Sequence, residues 1–269
     1  MVASLFSSFM MGNKISGYNA QGAIYLSKSL ASGYPAGAAI DISNNGVMLN
    51  IASNGSTSVN NYVLSTPYDI STHGTISSGS AISSPIAAFV WGPSGTTIYI
   101  VGFYTTYYGV SMWNVATPYD SATIINSKVN QFLFTAASLL SSLCFDASGT
   151  QLFVTDKILN TLLHATLSSP WDLTTATYIN SVSVSTYNTT PIGVQINPNG
   201  KQIYISSSGN QVTTYSLSTP FDTTTLLFKS TRTLSEVTGN ANFWTFGNNG
   251  LNGYVIDSST GTIYEYSTA

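Results

Sequence analysis

Charge is what this sequence has least of: only 6% of its residues are Asp, Glu, Lys or Arg, against about 25% in typical soluble domains. Seven Lys and Arg stand against ten Asp and Glu, which gives a formal net charge of −3. A chain with this balance offers no basic surface to nucleic acid and no cationic patch to anionic lipid. We therefore expect neither nucleic-acid binding nor attraction to a membrane surface.

Cysteine, histidine and long apolar runs are also scarce. The single Cys144 excludes an internal disulfide framework, and its apolar context, LCFD, predicts a buried thiol. The two histidines, His73 and His164, do not stand in a metal-ligand spacing. No apolar run reaches the length that spans a bilayer, and the N-terminal MVASLFSSFMM lacks the basic start of a signal peptide. The sequence predicts no metal site, no cofactor and no membrane insertion.

Aromatic residues, in contrast, are abundant. The 269 residues include 17 Tyr, 12 Phe and 4 Trp, and 43% of the chain is apolar. This is enough material for a packed core and argues against a disordered chain. Ser, Thr, Asn and Gly occupy the surface positions that Lys and Glu usually hold.

A short phrase, LSTPYD in its first form, returns at regular intervals. Its prolines are 51, 52 and 50 residues apart, at Pro67, Pro118, Pro170 and Pro220. A second marker is a glycine turn such as ISNNG or FDASG, which ends at Gly46, Gly95, Gly149, Gly200 and Gly250. Five glycines indicate five units, and a period near 50 residues is typical of a propeller or a solenoid.

Each unit has the pattern of four short strands. An apolar strand such as GVQI leads into the glycine turn, and a β-branched and aromatic strand such as QIYIS follows it. A third strand, as in VTTYSL, ends in the phrase, and a fourth, such as ATYINSVS, comes after it. No helical periodicity competes with this pattern. The sequence predicts an all-β fold, a five-bladed β-propeller of four-stranded blades, over residues 18–269.

The fifth unit has three strands and stops at Ala269, where the other units have the proline of the phrase. The N-terminal segment YNAQGAIYLSKSL, which begins at Tyr18, follows the pattern of YDISTHGTISSGS, which begins at Tyr68. We expect this segment to be the outer strand of the last blade. It would close the ring and leave no open sheet edge between the first and last blades. Residues 1–17 then form an N-terminal arm outside the ring.

The acidic residue of the phrase has two interpretations. An Asp in a turn accepts hydrogen bonds from backbone N–H groups one or two residues further on, which makes it a cap. The alternative is a ring of Ca²⁺ ligands, but several oxygens must converge on one ion, and these residues are spread around the ring. Capping is the preferred interpretation for Asp69, Asp120, Asp172 and Asp222.

Catalytic patterns are weak. Glycoside hydrolysis needs two carboxylates within about 5–10 Å of each other, and the innermost-strand position five residues before the turn glycine is acidic only at Asp41. Asp156 and Asp257 end second strands in different blades, where capping explains them. No Gly-x-Ser-x-Gly elbow stands out. The sequence favours a protein that is not an enzyme, with a glycan-cleaving site around Asp41 as the weaker alternative.

The turns of the predicted blades are of two kinds. Glycine turns and phrase turns are uniform and lie on one face, whereas the turns between second and third strands vary and lie on the other. The blade-two turn, FYTTYYG, is the outlier, and we take its Tyr104, Tyr107 and Tyr108 as candidate ligand-binding residues. Exposed tyrosines suit a sugar or a protein surface, because the ring stacks while the hydroxyl hydrogen-bonds. Alternatively, this turn folds over the channel and buries its own rings.

The phrase and its surroundings, as in YSLSTPFDTTT and ATLSSPWDLTTATYINS, resemble the repeats of predicted propellers in tail and other surface proteins of bacteriophages, marine ones in particular. The resemblance covers all five units and carries no catalytic motif. It implies a virion protein that attaches to a host-surface glycan or protein through the variable face, with the arm docked on other virion proteins. The alternative it leaves is a purely structural knob, cement or adaptor protein.

Overall fold

The computed structural model describes residues 17–34, 37–53, 55–104 and 107–269, and these residues form five four-stranded antiparallel sheets. The blades follow the chain, so blade one is the sheet β2-β3-β4-β5 and blade four is β14-β15-β16-β17. The inner strands β2, β6, β10, β14 and β18 contact one another in this order, and β18 contacts β2. The predicted five-bladed β-propeller is confirmed.

The strands, in chain order, have the following bounds. The first ten are β1 (Ile24–Ala31), β2 (Gly37–Ser43), β3 (Met48–Ser53), β4 (Asn60–Leu64), β5 (His73–Ser77), β6 (Ala88–Trp91), β7 (Thr97–Tyr104), β8 (Tyr107–Val115), β9 (Ile124–Leu133) and β10 (Leu140–Phe145). The second ten are β11 (Gln151–Asp156), β12 (Thr161–Leu167), β13 (Ala176–Ser183), β14 (Pro191–Ile196), β15 (Gln202–Ser207), β16 (Gln211–Leu217), β17 (Leu226–Thr233), β18 (Ala241–Gly247), β19 (Asn252–Asp257) and β20 (Thr262–Ser267). Short 3₁₀ turns lie at Asn44–Gly46, Ile70–Thr72, Ser121–Thr123, Leu173–Thr175, Thr223–Thr225 and Asn248–Gly250.

The ring closes through the N-terminal strand, as predicted. Strand β1 pairs antiparallel with β20, with Leu30 opposite Ile263, and the last blade has the order β18-β19-β20-β1. The strand begins at Ile24 and not at Tyr18, because Tyr18 forms a turn: its N–H donates to the carbonyl of Gly250 at 2.6 Å. The predicted arm lies outside the described residues apart from its last residue, Gly17.

Apolar and aromatic side chains fill the seams between blades, as expected of strands whose two faces are both covered. The largest fully buried side chains include Trp113, Trp244 and Tyr254. Cys144 is buried, as its sequence context predicts, and burial raises the pKa of its thiol well above the ordinary value. A thiol in such surroundings stays protonated and is a poor nucleophile.

The aromatic residue of each phrase lies on the turn glycine of its own blade. In blade three, Trp171 has a positive φ of 64°, and its N–H donates to the Gly149 carbonyl at 2.9 Å. Gly149 itself has φ 73°, and a Cβ there would lie 2.2 Å from the indole nitrogen of Trp171. Only glycine therefore fits beneath the ring. The same backbone bond recurs at Tyr68, Tyr119, Phe221 and, from the N-terminal segment, Tyr18.

The acidic residue of the phrase is a cap, as predicted. Asp172 accepts hydrogen bonds from the backbone N–H and the hydroxyl of Thr174 at 2.9 and 2.7 Å. These two bonds, hydroxyl first, lower the pKa of the Asp172 carboxyl against a small opposing effect of burial. The same side-chain cap begins the 3₁₀ turn after Asp69, Asp120 and Asp222.

A small charged cluster sits where the ring closes. Lys28, on the N-terminal strand, lies 2.9 Å from Asp69 of blade one and 3.7 Å from Glu265 of the C-terminal strand. Glu265 is buried and accepts hydrogen bonds from the Ile70 N–H and the Asn252 amide, both at 3.1 Å. These contacts tie the two chain ends to blade one.

Candidate functional site

The blade-two hairpin is the longest of the second-to-third hairpins that the described residues form. Its strands β7 and β8 have eight and nine residues, whereas the corresponding strands of the other blades have five to seven. The ladder runs to its tip, with Phe103 opposite Tyr108 and Tyr104 opposite Tyr107. The pairs Phe103–Tyr108 and Tyr104–Tyr107 therefore extend both strands beyond those of the other blades.

The described side chains of this hairpin differ in their exposure to solvent. Phe103 is 47% exposed and Tyr107 is 42% exposed, while Tyr108 is half-buried against the core. The rings of Phe103 and Tyr108 meet with centroids 4.9 Å apart. The alternative in which the turn buries all of its rings does not hold for Phe103 and Tyr107. The side chain of Tyr104 lies outside the described residues.

The next turn on the same face, in blade three, also presents apolar side chains. Ile158 is 59% exposed and Leu159 is 49% exposed. Their N–H groups donate to one carboxylate oxygen of Asp156, at 2.9 and 3.0 Å. Sequence reasoning passed over this pair, although two aliphatic residues at the tip of DKILNT, where no core position requires them, were a usable signal.

Asp156 is buried and holds that turn in place through hydrogen bonds. Its second carboxylate oxygen accepts from the N–H groups of Ser138 and Leu139, at 2.5 and 3.1 Å, in the connection from blade two. Four backbone donors on one carboxylate hold both segments in place, because charge-assisted bonds of this kind are stronger than neutral ones. The blade-three turn is thus a rigid support for Ile158 and Leu159.

Asp257 repeats this arrangement in blade five. It accepts from the N–H groups of Gly239 and Asn240, at 3.0 and 3.1 Å, and from Ser259 at 2.9 Å. Burial raises the pKa of this carboxyl, but the hydrogen bonds, those from Ser259 foremost, outweigh burial and hold the pKa below its usual value. Asp156 and Asp257 are therefore caps, as predicted.

Asp41 lies on the inner strand of blade one in a row of polar residues. Asn50 stands opposite it on β3, and Asn61 stands opposite Asn50 on β4. Burial raises the pKa of Asp41 to about 7, opposed by a hydrogen bond from the Ile42 backbone. No second carboxylate stands in this row, and the part of the chain that the structure describes holds no cluster of three His, Cys, Asp or Glu. The row does not assemble the paired acids that glycan cleavage needs.

The two histidines do not form a catalytic pair either. His164 is buried, stacks on Phe153 with centroids 4.7 Å apart, and shares a 2.7 Å hydrogen bond with Gln151. Burial lowers the pKa of His164 to about 4, despite the opposing charge of Asp222. His73 is exposed on the outer strand of blade one, with its ring edge-on to Tyr62. His164 is thus a neutral packing residue.

Within the described ranges, no helix has the length and apolarity required to cross a membrane.

Comparison with known proteins identifies the fold and no family. No protein-family model matches the chain, and no curated protein matches it. The solved structure of the PQQ-bound form of aldose sugar dehydrogenase from Streptomyces coelicolor is similar, with a TM-score of 0.56, 9% identity, and 91% of this chain and 97% of that chain covered. A luciferin-regenerating enzyme is similar with a TM-score of 0.54, 9% identity, and coverage of 91% and 95%.

A third solved structure is a functionally unknown protein from Desulfotomaculum acetoxidans, with a TM-score of 0.49 and 12% identity. The alignment covers 85% of this chain, and the chain spans 64% of that protein's length. Two of these three similar structures carry enzyme names. At such identities, however, the likeness extends to the fold alone, because one fold supports many unrelated chemistries.

Proposed function

We propose that this protein is a non-enzymatic virion surface or tail protein that attaches to a host-surface glycan or protein through its variable face. The site is the variable-face patch, which we define as Phe103, Tyr107 and Tyr108 of the blade-two hairpin with Ile158 and Leu159 of the blade-three turn. The virion assignment rests on the repeat resemblance, and the binding assignment rests on this patch.

Exposure of several large apolar side chains on adjacent turns is the observation that carries the binding proposal. Blades two and three are neighbours, since β10 contacts both β6 and β7, and both turns lie on the same face. A single exposed apolar residue is ordinary, but aromatic and aliphatic side chains grouped on turns of neighbouring blades are typical of an interaction surface.

The test is binding of labelled, purified protein to a panel of marine bacterial strains. A Phe103→Ser/Tyr107→Ser variant and an Ile158→Ser/Leu159→Ser variant remove the two halves of the patch. We expect saturable binding to at least one strain and a loss of at least tenfold in affinity for each variant. The matched control is Ile24→Ser/Leu227→Ser, which removes two side chains of the outer strands that are each 67% exposed.

Binding that survives in both patch variants would place attachment elsewhere on the molecule. Absence of binding to every strain, with circular dichroism showing a folded protein, would overturn attachment in favour of the structural knob, cement or adaptor role.

A further inference from the structure

A polar groove runs along the seam between blade four and the N-terminal segment that completes blade five. It has two neighbouring parts of about 410 and 170 Å³, and Tyr18 and Gln202 line both. The larger part falls within the usual range for small-ligand pockets, about 300–1,000 Å³. We call this feature the seam groove. It adjoins the uniform face, because Asn199 and Lys201 flank the turn glycine of blade four.

Three amide side chains line the seam groove, Asn197, Asn199 and Gln202, and the two asparagines have their oxygens occupied inside the protein. The Asn197 oxygen accepts from the N–H groups of Lys201 and Gln202, at 3.0 and 2.9 Å. The Asn199 oxygen accepts from the Lys201 N–H at 3.0 Å. The Gln202 amide lies 2.7 Å from the Tyr204 hydroxyl, whose single proton is donated to the Tyr18 carbonyl. The NH₂ groups of Asn197 and Asn199 donate to no atom of the described residues, so these two amides offer the groove donors and not acceptors.

Two ammonium groups add to this donor surface. Lys201 lines the larger part of the seam groove and Lys229 the smaller, and both are exposed. Neither forms an ion pair with a carboxylate of the described residues, and no carboxylate is part of the lining. A third cation, Arg232, lies behind the wall, where it donates to the carbonyl of Gln21 at 3.1 Å.

Concentration of positive charge here is unusual for this chain. The whole sequence has seven Lys and Arg and a net charge of −3, yet three of these cations lie at one seam. Glu236 is near Arg232, since both charges act on Tyr266, but it does not line the groove. A ligand that fits must therefore supply many acceptor oxygens and negative charge.

We propose that the seam groove binds an acidic oligosaccharide, a sugar chain that carries carboxylate groups. Carboxylates would pair with Lys201 and Lys229, and ring and hydroxyl oxygens would accept from the amide donors. Tyr18 lines both parts of the groove, and a tyrosine ring is the kind of apolar surface against which a sugar face packs. This site is separate from the variable-face patch, and the inference does not depend on attachment through that patch.

The test is isothermal titration calorimetry with trigalacturonate as the acidic probe and galactotriose as the neutral probe, at low salt. We expect saturable binding of trigalacturonate and at least tenfold weaker binding of galactotriose. A Lys201→Ala/Lys229→Ala variant should lose at least tenfold in affinity. The control, Lys128→Ala/Lys157→Ala, makes the same change in charge away from the groove and should stay within twofold of the parent.

A second variant tests the amide donors separately from the lysines. Asn199→Asp keeps an oxygen that accepts from the Lys201 N–H and replaces the NH₂ donor by an acceptor. We expect at least a tenfold loss of trigalacturonate binding, with the melting temperature unchanged within a few degrees. Equal binding of both sugars, or unchanged affinity in the Lys201/Lys229 variant, would overturn the proposal. Equally tight binding of inorganic tripolyphosphate would overturn the saccharide assignment and leave a general anion surface.

Discussion

Asn50, which stands opposite Asp41, marks a departure of blade one from the repeat. At this position the second strands of three other blades have a tyrosine. The hydroxyls of Tyr99 and Tyr254 donate to the carbonyls of Trp171 and Tyr68 in the next blade, at 2.6 Å each, and Tyr204 makes the same bond to Tyr18. Asn50 is fully buried, and its Oδ1 has no hydrogen-bond partner. The seam beside Asp41 thus contains a buried polar atom without a partner, which costs stability.

Asp41→Asn tests the energetic effect of that carboxylate. The folded pKa, about 7, lies above the ordinary 3.8, so the folded protein binds this proton more tightly than the unfolded chain. Its contribution to stability is therefore present below about pH 4 and is lost as the pH rises to about 7. We expect the variant to gain about 1–2 kcal/mol in free energy of unfolding at pH 8 and almost nothing at pH 4.5, measured by urea denaturation.

Asp172→Asn is the matched control, because hydrogen bonds lower the pKa of that carboxyl. Its replacement should reduce stability at pH 8, with the opposite sign to Asp41→Asn. An equal effect of Asp41→Asn at both pH values would show that titration of Asp41 does not affect folding.

At the scale of elements, the phrase turn and the glycine turn form one unit on the uniform face of each blade. The pairing brings together segments about twenty residues apart, as in the bond from Trp171 to Gly149. It explains why the two markers recur with the same period. Strand order alone would not require both markers, but an aromatic side chain that packs on a glycine requires each of them.

Gly149→Ala tests this packing against Gly55→Ala. Both glycines have positive φ, 73° and 77°, but a Cβ at Gly149 would meet Trp171, whereas nothing lies within 4 Å at Gly55. Both variants should lose about 1–2 kcal/mol for the left-handed backbone. Gly149→Ala should lose a further 1–3 kcal/mol or so from overpacking, measured by chemical denaturation. Equal losses in the two variants would mean that the ring moves aside without cost.

At the scale of the whole molecule, the last blade closes the ring, because it contains strands from both ends of the propeller. The N–H of Asn19 lies 3.4 Å from the carbonyl of Thr268, so the two segments meet within the last blade. Deleting residues 1–17 and joining Ala269 to Tyr18 would create STAYN, which matches the STPYD of blade one. The phrase missing from unit five is therefore divided between the two ends of the propeller.

Two circular permutants with that junction test the role of the shared blade. One is opened between Ser208 and Gly209, inside blade four, so that a sheet still joins the new ends. The other is opened between Gly33 and Tyr34, at the boundary of blades five and one, so that no sheet joins them. We expect both to fold. The second should melt several degrees lower, because no hydrogen-bonded strand pair then joins its first and last blades. Thermal unfolding monitored by circular dichroism gives the two melting temperatures. A higher melting temperature for the second permutant would contradict stabilisation of the ring by the shared blade.

The sequence by itself determined the propeller, its five blades and its closure, because each unit repeats the same local requirements. Positive φ at Gly149 and capping by Asp172 are demands of neighbouring residues, and so they are visible in the chain. The same logic predicted the caps at Asp156 and Asp257. It also predicted where the variable turns lie, since alternation of turns along a blade follows from strand order.

Tertiary structure decided which side chains are available for binding. The half-buried state of Tyr108 and the exposure of Ile158 depend on partners from other strands or blades. The seam groove is the clearest case, because Tyr18 and Tyr204 meet across 186 positions of sequence. A repeat pattern specifies what each blade requires of itself, whereas a seam is formed by two blades, and its unused donors appear only when both are in place.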